Sequence, residues 1–457
     1  MKKLIFAVTL TVMAGALFAG DVGLSFNGGS RRASAASAPA ASAPAPVAGL
    51  PAARLGRAKP KEWTVMVFVN SKNNLEAAGL YNVNEMEKVG STKDMNIVVE
   101  MGRMNGQSSG GDTHADGDWT GIRRYLIQKD SDENHISSPV LFQEKSADMG
   151  DYREAENFVR WAKAKFPARR YMLIIWNHGS GWLDPRKASK GISFDDETGD
   201  YIRTPQIGQI LRDTGGVDIL AYDACLMQMG EVAFEVKNSA KVIVGSEETV
   251  PGAGYPYSLF LGAMARRPAM SDEQTGAMMV EAFKLFYDKA GQGAQLSAIR
   301  TSALGGFAQR MGAFAAAARA SGDSGALKTA TDGVLRYDAL GPDDADMTIS
   351  FYGDVAGFAK LVADNVKGPK ADEVKARAAD LENYISKTLV IETKASGKDR
   401  IGRDLSESTG ISVYLPPANA KVSQARLEGI FEAPYGDYAF DKATHWHDFV
   451  TYLYGVR

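Results

Sequence analysis

Short apolar segments alternate with longer amphipathic ones between residues 61 and 265. Helical spacing predicts helices at 75–89 and 152–166, and Thr204-Pro205 predicts a third, with Thr204 as its cap and Pro205 as its first residue. Apolar runs rich in Val, Ile and aromatic residues predict buried strands at 63–69, 95–101, 171–176, 217–222 and 241–245. Buried strands that alternate with helices favour a mostly parallel sheet, so we expect an α/β fold, a three-layer α/β/α sandwich.

The pattern becomes more helical after residue 270. Amphipathic helices are predicted at 272–290 and 303–320, and a strand at 410–415. We therefore expect a first domain at 61–265 and a C-terminal helical and mixed α+β lobe at 266–457.

The first residues have the pattern of an export signal. Lys2 and Lys3 precede an apolar run at 4–19 that ends in small residues, which predicts a signal peptide at 1–20. An uncleaved anchor helix is the alternative, and no later segment is apolar for long enough to span a bilayer. Ala, Ser and Pro dominate 33–53, so we expect a disordered linker at 21–60. The chain is expected to be exported, to a secreted, periplasmic or cell-surface location.

Composition narrows the classes of partner. The chain has 457 residues, 52 Lys and Arg against 55 Asp and Glu, and a net charge of -3, which provides no basic surface for nucleic acid. Its single cysteine excludes an intramolecular disulfide. Such a cysteine is either a small buried apolar residue or a reactive thiol.

Two of the predicted strands end next to groups that can perform chemistry. The strand at 171–176 leads to His178, and the strand at 217–222 leads to Cys225. The carboxyl ends of neighbouring parallel strands meet at one edge of a sheet, where ligands bind. An imidazole can activate a thiol there, and the backbone N–H groups of Gly179 and Cys225 are candidates for an oxyanion hole. The alternative is a core histidine beside a core cysteine.

The motifs around these residues resemble the clostripain family of caspase-like cysteine peptidases. The similar segments are Asn-Asn-Leu-Glu at 73–76 after the first strand, Asn-His-Gly-Ser-Gly-Trp at 177–182, Asp-Ala-Cys-Leu-Met at 223–227, and Ser-Glu-Glu through Tyr-Pro-Tyr at 246–257. The resemblance is strong from residue 62 to 262 and implies that 61–265 is a caspase-like catalytic domain acting on protein or peptide substrates.

The resemblance implies a role for each matching residue. Cys225 would attack the scissile carbonyl and His178 would protonate the leaving amine. Asp223 would bind the Arg or Lys before the cleaved bond, since a carboxylate suits a cation, although a turn-forming role is the alternative. Ser246 and Glu247 are further candidates for substrate binding. Two positions depart from the family pattern: Ala253 stands where relatives often have a second pocket Asp, and Asn73 where they often have Asp.

Relatives are often cut in the loop after the histidine, and Arg186, Lys187 and Lys190 are candidates for self-cleavage in the loop 183–191. The chemistry requires no cofactor. Two carboxylate clusters suit calcium as an activator, although solvated loops have the same composition; they are Asp112, Asp116 and Asp118, and Asp195, Asp196, Glu197 and Asp200. A catalytically silent secreted binding protein with the peptidase fold is the alternative function. The sequence leaves the metal site and the oligomeric state open.

Overall fold

A computed structural model describes residues 60–104, 113–182, 191–337, 350–416 and 435–455. The predicted signal peptide, the linker up to residue 59, Asp112 and the three candidate cleavage sites Arg186, Lys187 and Lys190 lie outside the described residues.

The described residues form twelve strands in two sheets. The strands are β1 (Lys61–Asn70), β2 (Met95–Arg103), β3 (Gly121–Leu126), β4 (Val140–Glu144), β5 (Ala168–Trp176), β6 (Ile219–Asp223), β7 (Val242–Gly245), β8 (Ala294–Arg300), β9 (Arg336–Tyr337), β10 (Tyr352–Asp354), β11 (Val390–Ser396) and β12 (Ser412–Tyr414). Nine of them form one sheet in the order β11-β8-β7-β6-β5-β1-β2-β3-β4, and β12-β10-β9 form a small second sheet. The five central strands, from β7 to β2, are parallel.

Twelve α-helices accompany these strands in the described residues. They are α1 (Glu76–Glu87), α2 (Tyr152–Lys165), α3 (Thr204–Asp213), α4 (Gly230–Val236), α5 (Tyr257–Arg266), α6 (Asp272–Ala290), α7 (Leu304–Ser321), α8 (Ser324–Gly333), α9 (Val355–Asn365), α10 (Ala371–Tyr384), α11 (Ala439–Thr444) and α12 (Trp446–Gly455). All the described helices are too short or too polar to cross a membrane.

The alternation of side chains along β1 explains why its apolar run is continuous. Val65, Val67 and Val69 pack into a core with α1, α5 and α6 on one face of the sheet. Met66 and Phe68 pack on the other face, into a core that includes residues of α2, α3 and α4. Both faces of the central strands are therefore buried between helices, and the predicted three-layer α/β/α sandwich is confirmed.

The large sheet extends beyond the segment where the apolar pattern is clearest. β8 and β11 lie after residue 265, in the expected C-terminal lobe, and they continue the same sheet through antiparallel pairing with β7 and with each other. The large sheet therefore contains strands from both sides of residue 265.

One predicted helix start is wrong by one residue. α3 begins at Thr204, so Arg203 takes the cap position, and the Arg203 N–H donates to the side chain of Gln206. The Thr204 hydroxyl instead donates to Gly181 O at 3.3 Å. Its side chain therefore holds the segment after β5 and does not cap the helix.

The C-terminal part of the chain also packs against the residues that follow β5. The indole of Trp182 makes edge contacts with Tyr414, Tyr435 and Tyr438, at ring-centroid distances of 5.0, 4.8 and 5.5 Å. The Tyr438 hydroxyl donates to Trp182 O at 3.0 Å. The described chain around Trp182 is thus fixed by residues that are far away in the sequence.

Candidate active site

The paired ends of β5 and β6 place His178 and Cys225 on one edge of the sheet. Trp176 is opposite Asp223 in the parallel register, and Asn177 N donates to Asp223 O at 3.2 Å. His178 lies two residues after Trp176, and Cys225 lies two residues after Asp223. Gly179 packs directly on the cysteine backbone, because a Cβ at position 179 would lie 2.3 Å from Cys225 O and 3.1 Å from Cys225 N. The predicted meeting of the two strand ends is therefore present, and only glycine fits at residue 179.

The thiol of Cys225 is partly buried beside the loop that follows β7. Val250 N lies 3.3 Å from Cys225 Sγ and directs an N–H donor at the sulfur. The next residue, Leu226, has a φ of 61°, and its N–H donates to Glu248 O at 3.2 Å. Cys225 Sγ also lies 3.9 Å from Val250 O, so both backbone polar groups of Val250 contact the thiol.

The imidazole of His178 has a partner on the loop between β1 and α1. His178 Nε2 lies 2.7 Å from Asn74 Oδ1. An amide oxygen can only accept, so Nε2 carries the proton in this contact and Nδ1 is the nitrogen that can take up another. The sequence analysis did not identify Asn74 as a site residue. Its one signal was a polar pair, Asn73-Asn74, at the end of a buried strand.

Asp223 has a buried carboxyl group that accepts two hydrogen bonds. Its Oδ2 accepts hydrogen bonds from Tyr255 N and from the Tyr257 hydroxyl, both at 3.0 Å. Burial raises its pKa to about 7, although these two hydrogen bonds act in the opposite direction. Among the described residues no Lys or Arg forms an ion pair with it, and none donates a hydrogen bond to its Oδ1. Such a group can accept a cation from a ligand.

Gly254 and Asn82 pack closely against this carboxyl group. Gly254 has a φ of 65°, and a Cβ there would lie 2.8 Å from Asp223 Oδ2 and 2.9 Å from Asn82 Oδ1. Asn82 is itself fixed, because it accepts from Trp176 Nε1 at 2.7 Å and donates to Ala253 O at 2.9 Å. Ala253 thus contributes a backbone oxygen to this region.

The side chains of Ser246 and Glu247 are fully buried. Ser246 O accepts from Gln228 N, and Glu247 Oε2 accepts from Gly410 N and Gln295 Nε2, both at 2.9 Å. Burial, with a further contribution from the charge of Asp354, holds the pKa of Glu247 well above its ordinary range. These positions support the end of β7, and their burial does not favour a direct contact of either side chain with substrate.

The carboxylate cluster at 195–200 already contains a cation of the protein. Lys72 Nζ lies 2.9 Å from Asp195 Oδ2 and 2.5 Å from Glu197 Oε2. In the second cluster, Asp116 accepts from Trp119 and from Ile136 N, and Asp118 contacts His114. In the described part of the chain, no three His, Cys, Asp or Glu side chains are arranged to hold a metal ion.

The sequence of the chain is similar to a known family of peptidases. The model of the peptidase C11 or clostripain family matches residues 67–452. Clostripain from Hathewaya histolytica is 28% identical over 264 residues, which cover 49% of this chain and 50% of that protein, so the match spans about half the length of this curated relative.

Solved structures share the fold over most of the chain. A secreted C11 cysteine protease from Bacteroides thetaiotaomicron, in complex with an irreversible peptide inhibitor, superposes with a TM-score of 0.59 at 21% identity, covering 84% of this chain and 99% of that one. An inactive zymogen of a C11 protease from Parabacteroides distasonis gives 0.59 at 17% identity, with 85% and 99% coverage.

Proposed function

The chain belongs to the clostripain family, and on that premise we propose that it is a cysteine endopeptidase that cuts protein or peptide chains after Arg or Lys. The observation that carries the proposal is the packing of Gly179 on the backbone of Cys225 at the paired ends of β5 and β6. This packing supports a dyad in which His178 and Cys225 act on one bound carbonyl group.

The proposed reaction uses only groups of the chain and one water molecule. Cys225 gives its thiol proton to His178 Nδ1, and Sγ bonds to the carbonyl carbon of the scissile peptide. Backbone N–H groups of Gly179 and Cys225 stabilise the oxyanion. The C–N bond then breaks and His178 protonates the leaving amine. Water cleaves the thioester, His178 takes and returns its proton, and the free thiol and a carboxylic acid are released.

Asn74 would position the base in this reaction. Its contact with Nε2 favours the tautomer in which Nδ1 faces the chemistry. The same contact stabilises the imidazolium form after proton transfer, because the Asn74 oxygen then accepts from a charged donor.

The preference for a basic residue rests on Asp223. A guanidinium or ammonium group entering the pocket would supply the countercharge that the described chain does not provide, and would lower the pKa of this carboxyl group from about 7. Ala253 leaves the pocket with one carboxylate where relatives often have two. The preference is therefore expected to depend on a single charge.

We extend the proposal to processing and location. A relative is a secreted C11 protease and another is an inactive zymogen, and the basic residues Arg186, Lys187 and Lys190 fit the proposed specificity. With this support we propose self-cleavage at 183–191 and export through residues 1–20. The chemistry requires no cofactor, and the Lys72 ammonium already supplies positive charge to the acidic cluster that suggested calcium.

A fluorogenic panel tests the proposal. Substrates with Arg, Lys, Asp, Asn, Leu or Ala before the cleaved bond are incubated with the chain lacking residues 1–20 and with its Cys225→Ala and Asp223→Asn variants. We expect cleavage after Arg or Lys, no activity with Cys225→Ala, and loss of the basic preference with Asp223→Asn. Cleavage only after a substrate residue other than Arg or Lys would overturn the proposed role of Asp223. Silence across the panel, also after limited proteolysis and with added calcium, would favour a catalytically silent binding protein.

A further inference from the structure

Two asparagine side chains, those of Asn73 and Asn177, connect the residues before Asn74 and before His178 to one short segment. Asn73 Nδ2 donates to Phe194 O at 2.8 Å, and Phe194 N donates to Asn177 Oδ1 at 3.0 Å. Asn177 Nδ2 also donates to Asn70 O at 2.5 Å. Asn73 precedes Asn74 and Asn177 precedes His178, so both members of the His178–Asn74 contact depend on where Phe194 lies.

This arrangement gives the Asn73 side chain a specific role. Its Nδ2 donates to Phe194 O at 2.8 Å and to Asn70 O at 3.4 Å, and its Oδ1 accepts from Leu75 N at 2.9 Å. An ionised aspartate at this position could accept from Leu75 N but could not bond to Phe194 O, because it has no donor. The amide of Asn73 thus attaches the segment around Phe194 to the loop between β1 and α1.

Lys72 fastens the same segment from the neighbouring position. Its ammonium group donates to Ala147 O at 2.6 Å and contacts Asp195 and Glu197 at 2.9 and 2.5 Å. Its carbonyl oxygen accepts from Asp196 N at 2.8 Å. Backbone and side chain of Lys72 therefore hold residues 195–197 against the loop that carries Asn74.

The position of the ammonium group leaves little freedom. The side chains of Lys72 and Asp195 are fully buried. The aliphatic part of Lys72 packs on β2, since a Cβ at Gly102 would lie 3.1 Å from Lys72 Cγ. Asp195 also accepts from Met149 N at 3.0 Å. Removing one charge from a buried pair leaves the other without compensation, so the segment would move when Lys72 is replaced.

We propose that Lys72 is a positioning residue for the catalytic base: its ammonium group fastens residues 195–197 to the loop after β1 and thereby keeps Asn74 in contact with His178. The inference rests on the proposed function of His178 and Cys225. Lys72 touches no reacting atom and acts through Asn74.

The test compares Lys72→Met, Asn74→Ala and the double variant with the wild-type chain. The readouts are the rate of Cys225 alkylation by iodoacetamide as a function of pH, and kcat and KM for an Arg substrate. Loss of the oriented imidazole raises the apparent pKa of the thiol towards about 8.5, so we expect alkylation near neutral pH to slow about tenfold in each single variant. We expect kcat to fall and KM to change little.

The double variant separates positioning from general damage. If Lys72 acts through Asn74, the double variant should be no slower than Asn74→Ala alone. A loss in the double variant equal to the product of the two single losses would overturn the inference. Lys241→Met is the matched control, since its exposed ammonium group also pairs with an aspartate, Asp218. It should keep the wild-type pH profile.

Two further comparisons cover the case in which Lys72→Met does not fold and the case in which the wild-type thiol is not activated. If Lys72→Met does not fold, Lys72→Met/Asp195→Asn removes both charges together, and a wild-type alkylation profile in that variant would overturn the inference. If wild-type Cys225 reacts no faster than an ordinary thiol, both the proposed function and this inference fail. If the wild type reacts fast and Lys72→Met equals it, only the inference fails.

Discussion

The carboxyl group of Asp223 should reduce the stability of the folded chain at neutral and alkaline pH. Its pKa rises from the ordinary value of 3.8 to about 7 because it is buried. A folded-state pKa above the unfolded value means that the unfolded chain releases this proton more readily. Below pH 3.8 Asp223 is protonated in both states and its ionisation does not lower the free energy of unfolding. The free energy of unfolding then falls as the pH rises from 3.8 to about 7, and the loss is complete above that pH.

The variant Asp223→Asn removes this cost and keeps an oxygen for the donors Tyr255 N and Tyr257 Oη. One pKa unit corresponds to about 1.4 kcal/mol, so a shift of about three units amounts to about 4 kcal/mol above pH 7 and about 2 kcal/mol at pH 5. We expect the variant to be more stable than the reference by these amounts. The comparison needs a Cys225→Ala background, which prevents self-digestion.

Urea unfolding of the two proteins from pH 4 to pH 9 measures the difference directly. The gain should grow from pH 4 to pH 7 and stay constant above. The exposed residue Asp213 provides a control, since Asp213→Asn should show no such pH dependence. A gain that is absent at pH 8, or one that does not change with pH, would refute the argument that burial opposes ionisation of Asp223.

Three other outcomes follow from the same geometry. The ratio of kcat/KM for Arg over its neutral counterpart Gln should rise with pH through about 7, the pKa of Asp223, and then level off, because only the ionised carboxyl group attracts a cation; a flat ratio would contradict this. Gly254→Ala should destabilise the chain by about 1–3 kcal/mol, since the φ of Gly254 is positive and the space is filled, whereas Gly252→Ala, with nothing within 4 Å of its Cβ, should not. Trp182→Ala should cost about 3–5 kcal/mol in urea unfolding, and Tyr438→Phe less, because it loses one hydrogen bond and keeps the ring.

The central strands could be predicted from the sequence because both of their faces meet apolar helices. β3 could not, because it carries two arginines in its middle, Arg123 and Arg124. The structure pairs Arg124 with Glu100 and Glu154 and stacks Arg123 on Trp119. In the sequence, two adjacent charged residues have the pattern of a solvent-exposed segment, and nothing local reveals that Arg124 is paired inside the fold.

The candidate site divides in the same way. His178 and Cys225 were predictable because parallel strand ends meet at one edge. The links from Lys72 to Asp195 and from Asn73 to Phe194 join positions more than a hundred residues apart, and nothing local to either position signals them. The partners of Glu247, Gln295 and Gly410, are likewise far from it in the sequence, so its buried hydrogen bonds could not be predicted from its motif.

The late position of β8 and β11 in the chain has a consequence for biosynthesis. Cys225 leaves the ribosome well before Gln295 and Gly410, whose contacts with Glu247 fix the loop beside the thiol. At ordinary translation rates, of about 5–20 residues per second, the interval between Cys225 and the end of β11 lasts roughly 10 to 30 seconds. Until β8 is synthesised β7 has an unpaired edge, and after that the outer edge of β8 stays unpaired until β11 follows. A nascent chain therefore carries Cys225, the proposed nucleophile, well before the residues that hold that loop in place have been synthesised.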